Sequence, residues 1–206
     1  MSELFNLPNY GILRTKLPDE LFLKLVEESK KFDIDSNEFK TGLSAGLGVA
    51  KHMKIKDNYD ELSEFALKTA YEYNTSYNYM ASIKILSRNG KFKTQDQWFN
   101  YQNKHEYLPN HSHGGVLSYT GWIKIPYDLA KERENNVKDR ATAATFQITY
   151  LSTSGVQMLE QLPIDKSWER HMIVFPSNLQ HCVYPFYTSD ETRISFAGNI
   201  SLDFLE

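Results

Sequence analysis

The sequence predicts an α+β fold in which N-terminal helices precede a jelly roll, that is, two β-sheets packed face to face. Three observations predict it. Apolar residues recur at helical spacing through most of the first 80 residues. From about Ser82 onward, short segments rich in Ile, Val, Tyr, Phe and Thr alternate with polar turns, giving about eight strands. Aromatic residues make up 14% of the chain, with 13 Tyr and 12 Phe, and these side chains favour strands.

The first predicted helix begins at Pro18, and Asp19 and Glu20 lie in its first turn, where the helix dipole favours acidic side chains. Its apolar face is formed by residues at helical spacing: Leu21, Phe22, Leu25, Val26 and Phe32. A Gly- and Ala-rich stretch between Thr41 and Val49 then predicts a turn or loop.

A second helix is predicted from Asn58, which forms a capping-box pattern with Glu61 three residues later. An apolar stripe follows at positions i, i+3, i+4, i+7 and i+8: Leu62, Phe65, Ala66, Thr69 and Ala70. Such stripes usually face a core. We therefore expect both helices to pack on one sheet rather than to bind a partner.

The rest of the chain predicts the strands of the jelly roll. They are Ile83–Leu86, Gln97–Gln102, Val116–Ile125, Ala144–Leu151, Val156–Leu159, Met172–Phe175, Cys182–Tyr184 and Arg193–Leu202. Asn89-Gly90 is a strong hairpin-turn signal. The charge-rich segment Asp128–Arg140 is interpreted as a solvated loop and a candidate lid. Because no repeat or linker divides the chain, we expect one domain, 1–206, with a helical elaboration at 1–80 and a β core at 81–206.

Composition excludes several classes of protein. The chain has 206 residues, 41% of them hydrophobic, which suits a globular core and not a disordered chain, a collagen or a coiled coil. With 23 Lys plus Arg against 26 Asp plus Glu, the net charge is −3, so neither a nucleic acid nor an anionic membrane is indicated as a partner. The single cysteine, Cys182, excludes an intrachain disulfide. No signal peptide or membrane span is apparent, and we expect a cytoplasmic protein.

Two of the six histidines, His111 and His113, suggest a metal site. Residues two apart in a strand point to the same face, so both imidazoles can converge on one ion. Pro109 before the pair and Gly114-Gly115 after it indicate a strand end that can open to solvent. Imidazole suits iron, zinc, copper or nickel. The alternative on spacing alone is two surface histidines at a loop edge.

Two later positions complete the set of candidate residues. His181 follows the apolar run Met172–Phe175 and a Pro turn, so it lies near the start of a late strand; the alternative is a hydrogen-bonded core histidine. Arg193 and Ser195 share one face of the last strand. An Arg fork beside a hydroxyl suits a carboxylate, with two parallel N–H donors meeting two oxygens. The alternative is a surface salt bridge with Asp190 or Glu191.

The order His-X-ligand, distant His and Arg-X-Ser resembles the iron(II)/2-oxoglutarate-dependent oxygenase superfamily, and in particular oxygenases encoded by bacteriophages. The resemblance covers roughly residues 80–202. Its motifs are Trp98–Gln102, Pro109–Ser118, Phe175-Pro176-Ser177, His181, Tyr184–Glu191, Arg193-Ile194-Ser195 and Gly198-Asn199. It implies a double-stranded β-helix, the cupin-like form of the jelly roll, with iron(II) between its sheets.

The resemblance also implies roles for individual residues. His111 and His181 would be iron ligands, and Arg193 with Ser195 would hold the distal carboxylate of 2-oxoglutarate. Asn100 and Gln102 share a strand face, and related demethylases contact the cosubstrate at that spacing, so both are carried over as cosubstrate-binding residues. Tyr101 takes their place if the strand register is reversed.

One position departs from the usual pattern of two histidines and one carboxylate, because the second ligand position is His113. Three neutral imidazoles leave the metal complex one positive charge higher. A working three-histidine site, a carboxylate from elsewhere such as Glu106 or Glu160, and a weakened site are the three outcomes. We predict that His113 is a ligand, as in phage-type relatives that carry His-X-His.

Three functions remain open at this point. The first is an iron(II)- and 2-oxoglutarate-dependent dioxygenase that uses oxygen to hydroxylate an unidentified substrate and releases succinate and carbon dioxide. It would act in the cytoplasm, that of the host cell if the protein is phage-encoded. The second is a cupin-like three-histidine dioxygenase without 2-oxoglutarate. The third is a non-enzymatic jelly-roll binding or virion protein. Cys182 is interpreted as a buried hydrophobe, and His105 and His171 as non-ligands.

Overall fold

The computed structural model describes residues 9–32, 40–41, 51–83, 90–134 and 142–204. Most of the loop predicted between Thr41 and Val49 lies outside these residues. So do Asn89 of the predicted hairpin turn, most of the predicted strand Ile83–Leu86 and the second half of the charged segment Asp128–Arg140.

Eleven strands and four α-helices are present in the described residues. The helices are α1 (Asp19–Ser29), α2 (Tyr59–Tyr77), α3 (Tyr79–Ser82) and α4 (Leu129–Glu134). The first six strands are β1 (Leu13–Lys16), β2 (Lys40–Thr41), β3 (Lys51–Lys54), β4 (Gly90–Gln102), β5 (Leu108–His111) and β6 (Leu117–Lys124). The other five are β7 (Thr145–Leu151), β8 (Gln157–Pro163), β9 (His171–Pro176), β10 (Gln180–Val183) and β11 (Arg193–Phe204).

The strands form two antiparallel sheets, as the sequence predicts. A seven-stranded sheet has the order β1-β9-β6-β11-β4-β3-β2, and a four-stranded sheet has the order β5-β10-β7-β8. In the larger sheet β11 pairs along most of its length with β4 on one side and β6 on the other. Strand alternation therefore sends every second side chain of β4 and β11 to the same face.

Two apolar clusters lie on opposite sides of the larger sheet, one on each face. The first contains residues of α1 and α2 with side chains from the sheet, among them Leu25, Leu62 and Phe99, all fully buried. The second contains side chains from the facing surfaces of both sheets, such as Trp122 of the larger sheet and Phe146 of the smaller one. The second cluster fills part of the space between the two sheets.

The start of α2 differs from the predicted capping box. The Asn58 side chain makes no capping hydrogen bond and instead donates through Nδ2 to Glu28 at 2.8 Å. The Glu28 carboxylate, 4% exposed, also accepts from the backbone N–H groups of Lys56, Asp57 and Asn58. The buried carboxylate of Glu28, from α1, thus takes the place of the local side chains as hydrogen-bond acceptor at the start of α2. Because this contact joins distant segments, the local sequence pattern does not contain it.

The segment interpreted as a solvated loop, Asp128–Arg140, begins as a helix instead. Residues 129–134 form α4, and the side chain of Asp128 accepts from the N–H of Ala130 in the first turn. Glu132 is 1% exposed although its neighbours are charged. The prediction of a wholly solvated loop is wrong for this part of the segment, because a buried hydrogen-bond site for the Glu132 carboxylate lies elsewhere in the chain.

Four short strands are absent from the predicted set. β1, β2 and β3 lie in the part of the chain predicted to be mostly helical, and β5 carries the first candidate histidine. Each has four residues or fewer, too few for a periodicity to stand out. Across the described residues, no helix combines the length and the apolar character that crossing a bilayer requires.

Candidate functional site

A cavity of about 600 Å³ opens between the two sheets. Strands β4 and β11 of the larger sheet line one wall, and β5 and β10 of the smaller sheet line the facing wall. All seven candidate residues line it: Asn100, Gln102, His111, His113, His181, Arg193 and Ser195. Residues from distant parts of the sequence therefore share one pocket.

His111, His113 and His181 form a cluster whose potential ligand atoms all lie within 4.8 Å of one another. Pairing of β5 with β10 places His111 directly opposite His181, with ring centroids 4.3 Å apart. His113 lies beyond the end of β5, so strand alternation does not orient it as expected. Its backbone N–H donates to the carbonyl oxygen of Ser177 at 2.9 Å, and this contact positions the residue beside the other two.

The hydrogen bonds of two rings determine which nitrogen can bind a metal. His111 Nδ1 lies 2.7 Å from the carbonyl oxygen of Pro109, and His181 Nδ1 lies 2.9 Å from that of Leu179. A carbonyl oxygen only accepts, so each Nδ1 carries the proton and each Nε2 keeps its lone pair. A set of neutral imidazole lone pairs fits a divalent transition-metal ion.

Burial keeps these imidazoles neutral. It lowers the pKa of His111. Burial, together with the neighbouring histidines, lowers the pKa of His113 to about 4 and that of His181 to about 3. A neutral imidazole is the form that coordinates a metal. At neutral pH no deprotonation is needed before an ion binds.

We expect acid to destabilise the metal-free protein between about pH 6.5 and pH 4. Unfolded imidazoles titrate near 6.5, whereas the folded pKa values of His113 and His181 are about 4 and about 3. Between these values the unfolded chain binds more protons. The free energy of unfolding therefore falls as the pH falls, by about 1.4 kcal/mol per pH unit for each histidine. Urea unfolding at a series of pH values measures the slope, which His181→Gln should reduce; an unchanged slope would contradict the assignment.

Arg193 is 2% exposed and is held by neutral acceptors. Its Nε donates to Gln102 Oε1 at 3.1 Å, and Nη2 donates to the same oxygen. Nη1 donates to the hydroxyl of Tyr127 at 3.0 Å, and Nη2 also donates to the carbonyl of Tyr184 at 3.3 Å. Among the described residues no carboxylate lies within ion-pair distance of Arg193. A buried positive charge without a counter-ion favours an anionic ligand.

The four candidate residues on β4 and β11 form two adjacent cross-strand pairs. Arg193 lies opposite Gln102, and Ser195 lies opposite Asn100, whose Nδ2 donates to Ser195 Oγ at 3.4 Å. Tyr101, the alternative for a reversed register, points to the other face and donates from its hydroxyl to the carbonyl of Ser29 at 2.7 Å. The register is therefore the one that directs Asn100 and Gln102 into the pocket.

The other residues weighed from the sequence lie away from the cluster. Within the described part of the chain, the potential metal group consists of the three histidines, and neither Glu106 nor Glu160 lines the cavity. His171 and His105 do not line it either. Cys182 is a buried free thiol, 2% exposed.

Three residues at or beside the cavity have a place near the site that the sequence did not predict. His52 reaches the cavity from β3, opposite Asn100 in the strand register, and its buried Nε2 has no hydrogen-bond partner. Trp98 lines the cavity beside it, with ring centroids 6.3 Å apart. Tyr127 contributes a partner for Arg193. A lone histidine in an unrecognised four-residue strand has no spacing partner, so only the pairing of β3 with β4 reveals it.

The sequence profile of the family described as "Putative 2OG-Fe(II) oxygenase" matches residues 96–199, just over half of the chain. The matched segment contains all seven candidate residues. No curated protein matches the sequence.

Solved structures share the fold at low sequence identity. A prolyl-4-hydroxylase from Pseudomonas putida has a TM-score of 0.57 and 14% identity, covering 93% of this chain and 92% of its own. A collagen prolyl hydroxylase of Paramecium bursaria Chlorella virus-1, solved with 2-oxoglutarate, has a TM-score of 0.54 and 13% identity, covering 93% and 96%. HygX from Streptomyces hygroscopicus, with nickel, 2-oxoglutarate and hygromycin B bound, has a TM-score of 0.53 and 8% identity, covering 93% and 83%. These similarities confirm the jelly-roll prediction at the level of the fold.

Proposed function

Because the chain belongs to the 2OG-Fe(II) oxygenase family, we propose that it is a dioxygenase that hydroxylates a substrate still to be identified and converts 2-oxoglutarate to succinate and carbon dioxide. Enzymes of this family use iron(II) and 2-oxoglutarate, with oxygen as the second cosubstrate. The family match favours neither a cupin-like dioxygenase without 2-oxoglutarate nor a non-enzymatic binding or virion protein.

One observation carries this proposal for the site. The three-histidine cluster and the guanidinium of Arg193, which has no counter-ion among the described residues, line the same cavity. A small dicarboxylate with a keto-acid group at one end can join them, since one end suits a metal ion and the other suits the buried Arg. A structural metal site alone would not need the buried cation.

We assign His111, His113 and His181 as the residues that hold iron(II). The carbonyl oxygens of Pro109 and Leu179 fix two of the three rings in the tautomer that directs Nε2 toward the ion. When bound, the iron supplies the oxygen chemistry that amino-acid side chains cannot perform. Three neutral ligands leave the full charge of the ion to be balanced by bound anions.

Arg193 and Ser195 are assigned to the distal carboxylate of 2-oxoglutarate. Asn100, which donates to Ser195, is assigned to the same ligand. Gln102 directs its Oε1 to Arg193 and its Nε2 to the carbonyl of Glu106 at 2.5 Å. These bonds favour a role for Gln102 in orienting the guanidinium beside the cosubstrate, because its amide is already engaged at both ends.

The substrate is assigned to the part of the cavity that β3 and β4 line. His52 and Trp98 line this part, and an exposed ion pair between Lys54 and Asp96, at 3.2 Å, lies at the same strands. The unpartnered Nε2 of His52 would be satisfied by a polar atom of the substrate. Apolar side chains such as Trp122, Phe146 and Phe175 line the cavity elsewhere and limit the access of water.

Helices α1 and α2 are proposed to cover the outer face of the larger sheet. The shared apolar cluster, which includes Leu25, Leu62 and Phe99, supports this packing. With the outer face covered by helices, the opposite face of β4 and β11 lines the cavity.

An anaerobic titration tests the proposed function without a known substrate. We expect the metal-free protein to show a weak visible charge-transfer band only after both iron(II) and 2-oxoglutarate are added, because the band requires a chelate of the two. Binding of iron(II) without a band would support the cupin-like alternative. Failure to bind iron(II) would support the binding or virion protein.

A further inference from the structure

The carboxylate of Glu132 is buried in the described structure, although the proposed chemistry gives it no role. Its side chain projects from α4 and is 1% exposed. Oε2 accepts from the N–H of Tyr187 at 2.8 Å, and Oε1 accepts from the N–H of Thr188 at 2.8 Å and from the Thr188 hydroxyl. A buried carboxylate with three donors is a strong and specific tie between two segments.

The two segments that Glu132 joins both contact Arg193. Tyr127 lies two residues before α4, and its hydroxyl accepts from Arg193 Nη1. Tyr184 lies three residues before Tyr187, and its carbonyl accepts from Arg193 Nη2. Phe186 completes the ring of contacts, since its ring centroid lies 4.9 Å from that of Tyr127 and 5.6 Å from the guanidinium carbon of Arg193.

We propose that Glu132 is a positioning residue for the 2-oxoglutarate site, which acts by joining the two segments that orient Arg193. The inference rests on the proposed role of Arg193. Tyr184, Pro185 and Phe186 keep their backbone hydrogen bonds to Thr145, Ala144 and His105 whether or not Glu132 is present. Loss of the Glu132 contacts therefore lets α4 and the adjoining Tyr127 hydroxyl shift relative to this segment, which changes the orientation of the guanidinium. The binding geometry of a carboxylate is sensitive to such a change, because an Arg fork requires two aligned donors.

The metal cluster does not depend on this tie. His181 lies in β10, which pairs with β7 on one side and β5 on the other, and it lies opposite Ile148 and His111 in these pairings. Strand pairing therefore holds the histidine without help from Glu132. The proposal predicts that a change at Glu132 separates metal affinity from 2-oxoglutarate affinity, a separation that a general loss of stability would not produce.

The test measures both affinities by calorimetry, with Ni²⁺ as a redox-inert ion and 2-oxoglutarate added to the Ni²⁺-loaded protein. Glu132→Gln replaces one acceptor oxygen with an amide that faces an N–H donor. We expect 2-oxoglutarate to bind about tenfold more weakly, while Ni²⁺ affinity changes less than about twofold. Glu134→Gln, an exposed position on the same helix, is the matched control and should change neither affinity.

A milder variant keeps the test decisive if Glu132→Gln folds poorly. Thr188→Val removes one donor at an exposed position, and we expect a loss of about threefold in 2-oxoglutarate affinity. Wild-type 2-oxoglutarate affinity in both variants, or an equal loss of both affinities in Thr188→Val, would overturn the role of Glu132. If Arg193→Gln also binds 2-oxoglutarate normally, the proposed role of Arg193 is wrong; if only Arg193→Gln loses affinity, that role stands and the inference about Glu132 fails.

Discussion

Arg193→Gln is expected to weaken the binding of 2-oxoglutarate by about 30-fold or more and to leave metal binding intact. Removing one member of a buried, hydrogen-bonded charge pair costs about 2–5 kcal/mol of binding free energy. Arg193 is 2% exposed and has no carboxylate partner among the described residues, so the ligand would supply the missing negative charge. Anaerobic titration with 2-oxoglutarate, followed by the charge-transfer band, measures the change.

Arg14→Gln is the control for loss of a positive charge. The Arg14 guanidinium lies 4.0 Å from the ring centroid of Trp168, and Arg14 does not line the cavity. We expect this variant to bind 2-oxoglutarate like the wild type. Equal affinities in Arg193→Gln and the wild type would instead mean that the cosubstrate carboxylate binds elsewhere.

His181→Ala is expected to reduce metal affinity more than about a hundredfold and to abolish turnover of 2-oxoglutarate. Changes to residues that only support a metal ligand already cost about 10- to 100-fold, so loss of a ligand should cost more. His181 is 3% exposed and lies opposite His111 across the strand pair, so no other described histidine can take its place in β10. Calorimetric titration with iron(II) under anaerobic conditions measures the loss.

His171→Ala is a closely matched control. The His171 ring makes the same kind of local contact, with Nδ1 3.2 Å from the carbonyl oxygen of Glu169, but lies outside the cluster. Its replacement should not change metal affinity. In a further arm, His113→Asp should retain metal binding, because a carboxylate supplies the charge that the third imidazole lacks. Normal iron(II) binding by His181→Ala would remove the three-histidine assignment.

Much of the fold was predictable because its signals are local. The periodicity of Leu62, Ala66 and Ala70 identifies the buried face of α2, and all three are fully buried. Short runs rich in Ile, Val, Tyr, Phe and Thr identify β6, β9 and β11 within a few residues. The predicted capping box and the loop at Asp128–Arg140 fail for one reason: buried carboxylates, Glu28 and Glu132, take part in long-range hydrogen bonds that no local pattern contains.

The candidate site was predictable to a similar extent. Period-2 alternation predicts that Asn100 and Gln102 share a face and that Arg193 and Ser195 share a face, because these pairs lie within single strands. It does not predict that the two faces coincide. That follows from the pairing of β4 with β11, which places Gln102 opposite Arg193.

By itself, the sequence determined which chemical groups the protein has to offer: imidazoles near two strand ends, an Arg and a Ser on one strand face, and a spacing that resembles the oxygenase superfamily. Only the tertiary structure decided that a backbone hydrogen bond to Ser177 holds His113 beside the other two histidines. It also decided that no carboxylate among the described residues pairs with Arg193, and that His52 reaches the cavity. The physical reason is the separation along the sequence between the residues that determine each feature. Side-chain direction within a strand depends on neighbouring residues, whereas burial, hydrogen-bond partners and charge balance depend on segments that meet only after the chain has folded.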